Sequence, residues 1–344
     1  MARIVRPQRV QTPVPYRSRE LTISASDSVR LSATLTLPEG RGPFPAVALI
    51  SGSGPQDRNA TIFLHEPFAL IADYLARRGI ATLRYDERGV GRSSGRYVTA
   101  TVGDLASDAE AVFRTLLSMP KIDSSRVGLL GHSEGGIIAP QIAVRSPNVA
   151  FLVLLAAPAV RGDSAILLQM RALAASSGYQ AFAGSRQDSL NWEFYRAIRA
   201  ATDSASGSAA VERYVNAILI DVPVAQQPTL RAQLLPQSRA ALQPEFLSLL
   251  RTDAQATLRQ VRVPVLALFG EKDFQVPAQS NHAAMTAAFL AGGNTRLEAR
   301  ILPGLNHLFQ PARSGLLSEY FTITTTMDPS ALEAISAWIV QAKR

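Results

Sequence analysis

The pattern of apolar and polar residues predicts a series of short strands. Residues 21–37 alternate around Ser26-Asp27-Ser28, which is typical of an antiparallel hairpin. A continuous apolar run at 45–50 predicts a strand buried on both faces. Further strands are predicted at 80–85, 127–131, 149–157, 263–269 and 297–302, and helices at 66–78, 104–117, 278–290 and 329–341. Because strands and helices alternate, we expect an α/β fold with a doubly wound, mostly parallel sheet.

This alternation stops between Pro158 and Arg262, where no strand-like run occurs. Amphipathic stretches lie instead near 165–174, 190–201, 209–219, 229–235 and 244–250. The predicted organisation is an N-terminal arm (1–20), a first part of the core (21–157), an inserted helical cap (158–262) and a second part of the core (263–344). The apolar residues of the cap, Trp192 among them, are expected either to form an apolar acyl pocket or only to pack the cap onto the sheet.

The segment Gly131-His132-Ser133-Glu134-Gly135 follows a predicted strand and leads into a helix-like segment. A G-x-S-x-G turn in this setting exposes a serine on a strained backbone at the end of a strand. Side chains two residues before and after the serine would collide, which explains the two glycines. We therefore predict Ser133 as a nucleophile, the alternative being a bystander serine in a glycine-rich turn.

A serine nucleophile requires a base, and the sequence contains four histidines. His65 and His132 precede the serine, and His282 lies in a predicted helix, where a surface position is expected. His307 lies in a Gly/Pro loop directly after the last predicted strand, and ligands bind at such loops in open α/β sheets. His307 is therefore the predicted base, the alternative being a structural loop histidine.

The base requires a carboxylate that orients it. Gly270-Glu271-Lys272-Asp273 follows the strand at 263–269 and contains two candidates. We favour Asp273, because the turn should direct it toward the histidine loop while Glu271 faces outward. An aspartate that only caps the following helix is the alternative.

Backbone N–H groups are needed to stabilise the oxyanion of a tetrahedral intermediate. Glu134, directly after the nucleophile, is predicted to supply one N–H. Ser53, in the glycine-rich segment Ser51-Gly52-Ser53-Gly54, is predicted to supply the other, unless this segment is a plain turn. Residues 56–58 are expected to brace this loop rather than line a pocket.

Taken together, five segments resemble bacterial α/β-hydrolases of the dienelactone-hydrolase-like and serine-aminopeptidase-like (S33) group. They lie in the expected order at 51–58, 85–93, 131–136, 263–273 and 302–307. The chain departs from the pattern at Ser51, where relatives usually have histidine. The resemblance implies hydrolysis of a small-molecule carboxylic ester through an acyl-enzyme on Ser133, without a metal or organic cofactor. It implies a mainly structural role for Asp86, Arg88, Gly89 and Gly91.

Composition excludes several other classes of protein. The chain of 344 residues has no cysteine, which rules out a thiol nucleophile, a disulfide framework and thiolate metal sites. Its net charge of +8 comes from scattered arginines, so nucleic-acid binding is not expected. The longest apolar run, 149–160, is too short to span a membrane. Residues 1–20 lack the apolar region of a signal peptide, which fits a bacterial cytoplasmic protein or an exported one whose signal precedes this sequence.

Three functional alternatives to an esterase remain. A serine peptidase would use the same residues on an amide. A thioesterase or lactonase would differ only in its pocket. A ligand-binding scaffold without activity is the third, although intact serine, aspartate and histidine candidates argue against it.

Overall fold

A computed structural model describes residues 8–342, in which eight strands form one sheet. The strands are β1 (Tyr16–Ser24), β2 (Arg30–Pro38), β3 (Phe44–Ile50), β4 (Ala81–Tyr85), β5 (Ile122–His132), β6 (Leu152–Leu155), β7 (Val265–Gly270) and β8 (Leu297–Leu302). Their spatial order is β1-β2-β4-β3-β5-β6-β7-β8. The pairs β1–β2 and β2–β4 are antiparallel, and all other pairs are parallel. The predicted hairpin and the mostly parallel sheet are confirmed.

Helices cover both faces of this sheet. The α-helices of the described residues are α1 (Pro67–Ala76), α2 (Val102–Leu117), α3 (Gly135–Arg145), α4 (Gly162–Ser176), α5 (Arg186–Ala200), α6 (Ser204–Leu219), α7 (Gln227–Arg239), α8 (Pro244–Arg251), α9 (Ala254–Leu258), α10 (Ala278–Gly292), α11 (Leu317–Tyr320) and α12 (Pro329–Gln341). Apolar side chains of α1 and α12 form a core with one face. Those of α2, α3 and α10 form a core with the other face, so the sheet is the middle of three layers.

Helices α4 to α9 all lie between β6 and β7, within the segment predicted as a cap. Their apolar side chains form a cluster separate from the two sheet cores, with Phe194, Ile198, Val215 and Leu250 among its buried members. The five amphipathic stretches correspond to α4 to α8, whereas α9 is too short to produce a periodic pattern. We refer to residues 158–262 as the insertion. Its status as a domain of its own stays a prediction.

Three boundaries differ from the sequence-based expectation. Strand β1 begins at Tyr16 and pairs with β2 along its whole length, so residues 16–20 of the predicted arm lie in the sheet. Residues 1–7 of that arm lie outside the described residues. Strand β6 is shorter than the predicted segment 149–157, because Ala156 has a φ of 49° and leaves the extended conformation. Strand β5 is longer than predicted and begins at Ile122.

The parallel strands direct the candidate residues toward one place. The carboxyl ends of β3, β5, β7 and β8 lie along the same edge of the sheet, and the predicted site residues all follow one of these ends. Within residues 8–342, no helix is both long and apolar enough to cross a bilayer.

Candidate active site

Ser133 lies in a strained turn between β5 and α3. Its φ of 54° falls in the left-handed region, which is unusual for a residue other than glycine. The two flanking glycines are required by close backbone contacts. A Cβ on Gly131 would overlap with the carbonyl of Gly135, and a Cβ on Gly135 would overlap with the carbonyl of Ile50. The turn therefore has the tight geometry expected of a nucleophile turn.

Asp273 and His307 form a buried pair at the ends of β7 and β8. His307 Nδ1 lies 2.7 Å from Asp273 Oδ2, and both side chains are almost completely inaccessible to solvent. The other carboxylate oxygen, Oδ1, accepts hydrogen bonds from the backbone N–H groups of Gln275 and Val276, both at 2.8 Å. The carboxylate is thus fixed from both sides, which fixes the orientation of the imidazole.

Glu271, the alternative acid, lies elsewhere. It is exposed, and its Oε2 accepts a hydrogen bond from the backbone N–H of Gly304 at 2.8 Å. This contact supports the histidine loop from outside without reaching the imidazole. The geometry thus places Asp273, not Glu271, against His307.

Ser133 and His307 line the same cavity, of about 650 Å³, together with Gly52, Ser53 and apolar side chains such as Phe68. Within residues 8–342, the Ser133 hydroxyl makes no hydrogen bond to the imidazole. Such contacts are often long in substrate-free enzymes and shorten when substrate binds. Ser133 and His307 therefore line one cavity, and Asp273 contacts His307 without lining it.

The proposed oxyanion donors lie next to the nucleophile. The backbone N–H groups of Ser53 and Glu134 have no hydrogen-bond partner among the described residues. A Cβ added to Gly52 would lie 3.1 Å from the Cβ of Ser133, so glycine allows this loop to approach the serine closely. Both N–H groups are thus available to an oxygen bound beside Ser133.

The loop that carries Ser53 is braced as expected. Arg58 contacts Asp86 through two nitrogens, at 2.9 and 2.7 Å, and also bonds Ser32 and Thr34 of β2. Gln56 both lines the cavity and donates from its side chain to the backbone oxygen of Ser53 at 3.2 Å. A bidentate arginine–carboxylate pair of this kind fixes geometry as well as charge.

His132, which the sequence analysis set aside, contacts the histidine loop. Its Nε2 lies 3.0 Å from the backbone oxygen of His307, and the two ring centroids are 4.8 Å apart. Burial, with a smaller contribution from the charge of His307, lowers the pKa of His132 to about 3. The ring is therefore neutral at pH 7, and Nε2 donates its proton to the carbonyl.

The two remaining histidines have structural surroundings. His65 is fully buried, and its ring nitrogens lie 2.9 Å from Thr326 Oγ1 and 3.1 Å from the Ile323 carbonyl. His282 in α10 lies 3.4 Å from the carbonyl of Ala299. Neither histidine lines a cavity that contains Ser133.

A second cavity, of about 1100 Å³, opens on the other side of Ser133, beneath the insertion. It is lined by Glu134 of the nucleophile turn and by Glu245 of α8. Glu87, buried nearby, accepts hydrogen bonds from Ser51 Oγ at 3.0 Å and from a backbone N–H. No feature of the sequence pattern indicated that these three glutamates would lie together, since Glu245 comes from a segment without a recognisable motif.

Burial is the main cause of raised pKa values in all three carboxyl groups. It raises the pKa of Glu87 to about 8, although the two hydrogen bonds to Glu87 oppose this shift. Burial and then the charges of Glu245 and Glu87 hold the pKa of Glu134 well above its usual range. The pKa of Glu245 is also raised, mainly by burial. At neutral pH the empty cluster therefore retains protons.

Trp192 and other apolar residues of the insertion have different surroundings. Trp192 does not line either cavity beside Ser133; it is 46% exposed on the outer side of the insertion, with the guanidinium of Arg196 5.0 Å from its ring centroid. Apolar side chains from the insertion do line the second cavity, including Ile166, Phe246 and Leu249. The spacing of apolar residues predicted helices in this segment, but it did not indicate whether Trp192 would face a cavity or solvent.

Comparisons with known proteins agree with this geometry. The chain is 24% identical to Esterase EstD of Thermotoga maritima over 331 residues, which cover 96% of this chain and 69% of that protein. It is 31% identical to Esterase FrsA of Yersinia pestis over 136 residues, which cover 39% of this chain but only 30% of FrsA.

Solved structures support the fold. An esterase of Pyrococcus furiosus superposes with a TM-score of 0.56 at 16% identity, covering 99% of this chain and 98% of the other. The α/β hydrolase GrgF from a Penicillium species superposes with a TM-score of 0.58 at 17% identity, covering 96% of this chain and 99% of the other. The predicted α/β-hydrolase fold is thereby confirmed.

The family model described as serine aminopeptidase, S33, matches residues 66–310. That range includes the nucleophile turn, the insertion and the loops after β7 and β8. The predicted class, a carboxylic ester hydrolase, agrees with this family and with the esterases named above. The chain belongs to the S33 serine aminopeptidase-like family of α/β-hydrolases.

Proposed function

We propose that this protein hydrolyses carboxylic esters of small molecules through an acyl-enzyme on Ser133, with His307 as base and Asp273 as its orienting carboxylate. The observation that carries the proposal is the 2.7 Å contact between His307 Nδ1 and Asp273 Oδ2 beside the cavity that also contains Ser133. The similarity to Esterase EstD supports an ester rather than another acyl compound as substrate.

In the first half-reaction, Ser133 Oγ attacks the ester carbonyl while His307 Nε2 takes the hydroxyl proton. The carbonyl oxygen becomes an oxyanion, and the N–H groups of Ser53 and Glu134 donate hydrogen bonds to it. Asp273 keeps the proton on Nδ1 and stabilises the imidazolium. The tetrahedral intermediate then breaks the ester C–O bond, and the leaving alcohol takes the proton from Nε2.

In the second half-reaction, water replaces the alcohol. His307 Nε2 takes a proton from water as its oxygen attacks the acyl-serine, and a second oxyanion forms in the same place. Collapse breaks the bond to Ser133 Oγ, which recovers its proton from His307. The products are a carboxylic acid and an alcohol, and the protein returns to its initial state.

The first test is labelling with a fluorophosphonate, read by intact mass and peptide mapping. We expect one adduct, on Ser133, and none in Ser133→Ala, while Ser28→Ala, which removes an exposed serine, is labelled normally. Hydrolysis of 4-nitrophenyl esters should be lost in Ser133→Ala alone. A folded wild-type protein without an adduct would favour a ligand-binding scaffold instead.

The family description keeps a peptidase as a second candidate. An amide is a harder substrate than an ester, so the two activities separate when an aminoacyl anilide and the matching ester are assayed with the same sample. Cleavage of the ester alone supports the proposal. Thioesters and lactones of the same acyl group, assayed in parallel, test the remaining alternatives.

A further inference from the structure

The cavity beneath the insertion has an acidic end beside the nucleophile. Glu134 and Glu245 line it, and they are close enough for the charge of Glu245 to raise the pKa of Glu134. Among the residues that the structure describes, no lysine, arginine or histidine lines this cavity. The charged groups that act on the Glu134 carboxyl, Glu245 and Glu87, are both acidic.

One oxygen of this cluster lacks a partner. Glu134 is only 3% exposed, and its Oε1 has no hydrogen-bond partner among residues 8–342. A buried carboxyl oxygen without a partner is costly, and native proteins rarely leave one unless something else binds there. Because Glu134 and Ser133 line the same cavity, a group in that cavity that satisfied this oxygen would lie beside the nucleophile.

A cation is the chemical complement of this arrangement. Two neighbouring carboxyl groups, of which Glu134 is buried and Glu245 half-buried, retain a proton, and a positive charge between them favours loss of that proton. Within the described residues, no group of three or more His, Asp or Glu side chains is placed to hold a metal ion. Phe246 adds an aromatic side chain to the same cavity, which suits an organic cation.

The cavity on the other side of Ser133 differs in character. Besides the candidate catalytic residues and the amides of Gln56 and Gln275, it is lined by apolar side chains such as Ile62, Phe68 and Met327. It contains no carboxylate among its described lining residues. The nucleophile thus lies between an apolar space and an acidic one.

We propose that the acidic cavity binds an ammonium group of the substrate through Glu134 and Glu245, so that the preferred esters have one apolar part and one part that carries a protonated amine. This inference rests on the proposed ester hydrolysis. An ammonium donates up to three hydrogen bonds, one of which satisfies Glu134 Oε1. The proton held by the empty pair is released to solvent when the ammonium enters.

Paired substrates that differ only in charge test this directly. For the acyl side, 4-nitrophenyl esters of ω-amino acids are compared with those of methyl-terminated acids of equal length. For the alcohol side, a 4-aminobutyl ester is compared with the neutral pentyl ester of the same acid. We expect kcat/KM to be at least about tenfold higher for the charged member in one of the two arms, and that arm identifies which part of the substrate enters the acidic cavity.

Substitutions of the two glutamates test whether they cause the preference for the charged ester. Glu245→Gln removes a charge from the insertion side of the cavity and should reduce the preference about tenfold, and Glu134→Gln should do the same. Glu193→Gln removes an exposed carboxylate from the outer side of the insertion and should leave the preference unchanged. A preference that persists in both Glu245→Gln and Glu134→Gln contradicts the proposal.

A binding measurement covers the case in which these variants do not fold. Hexylammonium should inhibit hydrolysis of a neutral ester by the wild-type protein competitively, and hexanol should inhibit at least tenfold less. Inhibition should strengthen as the pH rises toward 9, because the pKa of Glu87 is about 8 and burial raises the pKa values of Glu134 and Glu245, while an alkylammonium, with a pKa of about 10.4, stays charged. Tyr97, whose pKa is raised by burial and by these carboxylates, stays neutral.

The outcomes separate this inference from the proposed function. Equal rates for charged and neutral esters, with no inhibition by hexylammonium, overturn the ammonium site and leave the esterase proposal intact. Absence of any ester hydrolysis and of any adduct on Ser133 overturns the esterase proposal itself.

Discussion

The Nε2 atom of His132 lies 3.0 Å from the backbone oxygen of His307 and thereby joins the nucleophile turn to the loop that holds the proposed base. Burial lowers the pKa of His132 to about 3, so its ring is neutral at neutral pH and Nε2–H donates to that carbonyl. The Nε2 proton is engaged in this contact, and among the described residues the side chain makes no hydrogen bond to Ser133 or Asp273. We therefore assign it a positioning role.

We predict that His132→Ala lowers kcat for ester hydrolysis about 10- to 100-fold and changes KM little, since an imidazole displaced by about 1 Å loses this much rate. His132→Gln retains an N–H donor and should recover part of the loss. The measurement is steady-state kinetics together with the rate of fluorophosphonate labelling of Ser133. His282→Gln, a histidine change distant from Ser133, is the control, and a uniform rise in KM for His132→Ala would contradict the positioning role.

We predict different effects on activity for substitution of the two carboxylates that follow β7. Asp273→Asn removes the charge that holds His307 in the required tautomer, so kcat should fall about 10⁴-fold while the fold is kept. Glu271→Gln changes only an exposed contact to Gly304 and should retain at least half of the activity. Comparable losses in both variants would mean that the orienting carboxylate has been assigned incorrectly.

The sequence was most informative where local chemistry decides the structure. The glycines around Ser133 and the position of Asp273 one turn after a buried strand were predictable, because a tight turn and a strand end leave few alternatives. The contact of His132 with His307 joins residues 175 positions apart, and Glu245 lines the same cavity as Glu134 from another helix. Neither arrangement follows from periodicity, since both depend on how the loops and the insertion pack on the sheet.

The packing of the nucleophile turn predicts a stability effect. Gly131→Ala would force a Cβ into the carbonyl of Gly135, so we expect a loss of at least about 2 kcal/mol in the free energy of unfolding, with loss of activity. Gly103→Ala, in α2, meets only Thr101 Oγ1 at 3.6 Å and should be neutral or stabilising by up to about 1 kcal/mol. Urea denaturation of both variants measures the difference, and equal stabilities would argue against the close contact.

Glu87 connects burial to pH-dependent stability. Its pKa is about 8 in the folded protein and near the ordinary 4.5 when unfolded, so between these values the folded state binds more protons than the unfolded state. The contribution of Glu87 to the free energy of unfolding must then fall as the pH rises from about 4.5 to 8, and it is fully present only below that window.

Glu87→Gln removes this dependence, because glutamine stays neutral while its side-chain oxygen still accepts a hydrogen bond from Ser51. The difference in the free energy of unfolding between the variant and wild type should shift in favour of the variant by on the order of 3 kcal/mol between pH 5 and pH 8.5. A constant offset from the substitution itself does not affect this shift. Thermal or urea unfolding of both proteins at the two pH values gives this difference. Glu39→Gln, an exposed glutamate after β2, serves as the control. A Glu87→Gln variant that loses stability relative to wild type as the pH rises would show that the carboxylate, not the neutral acid, is the form that the fold favours.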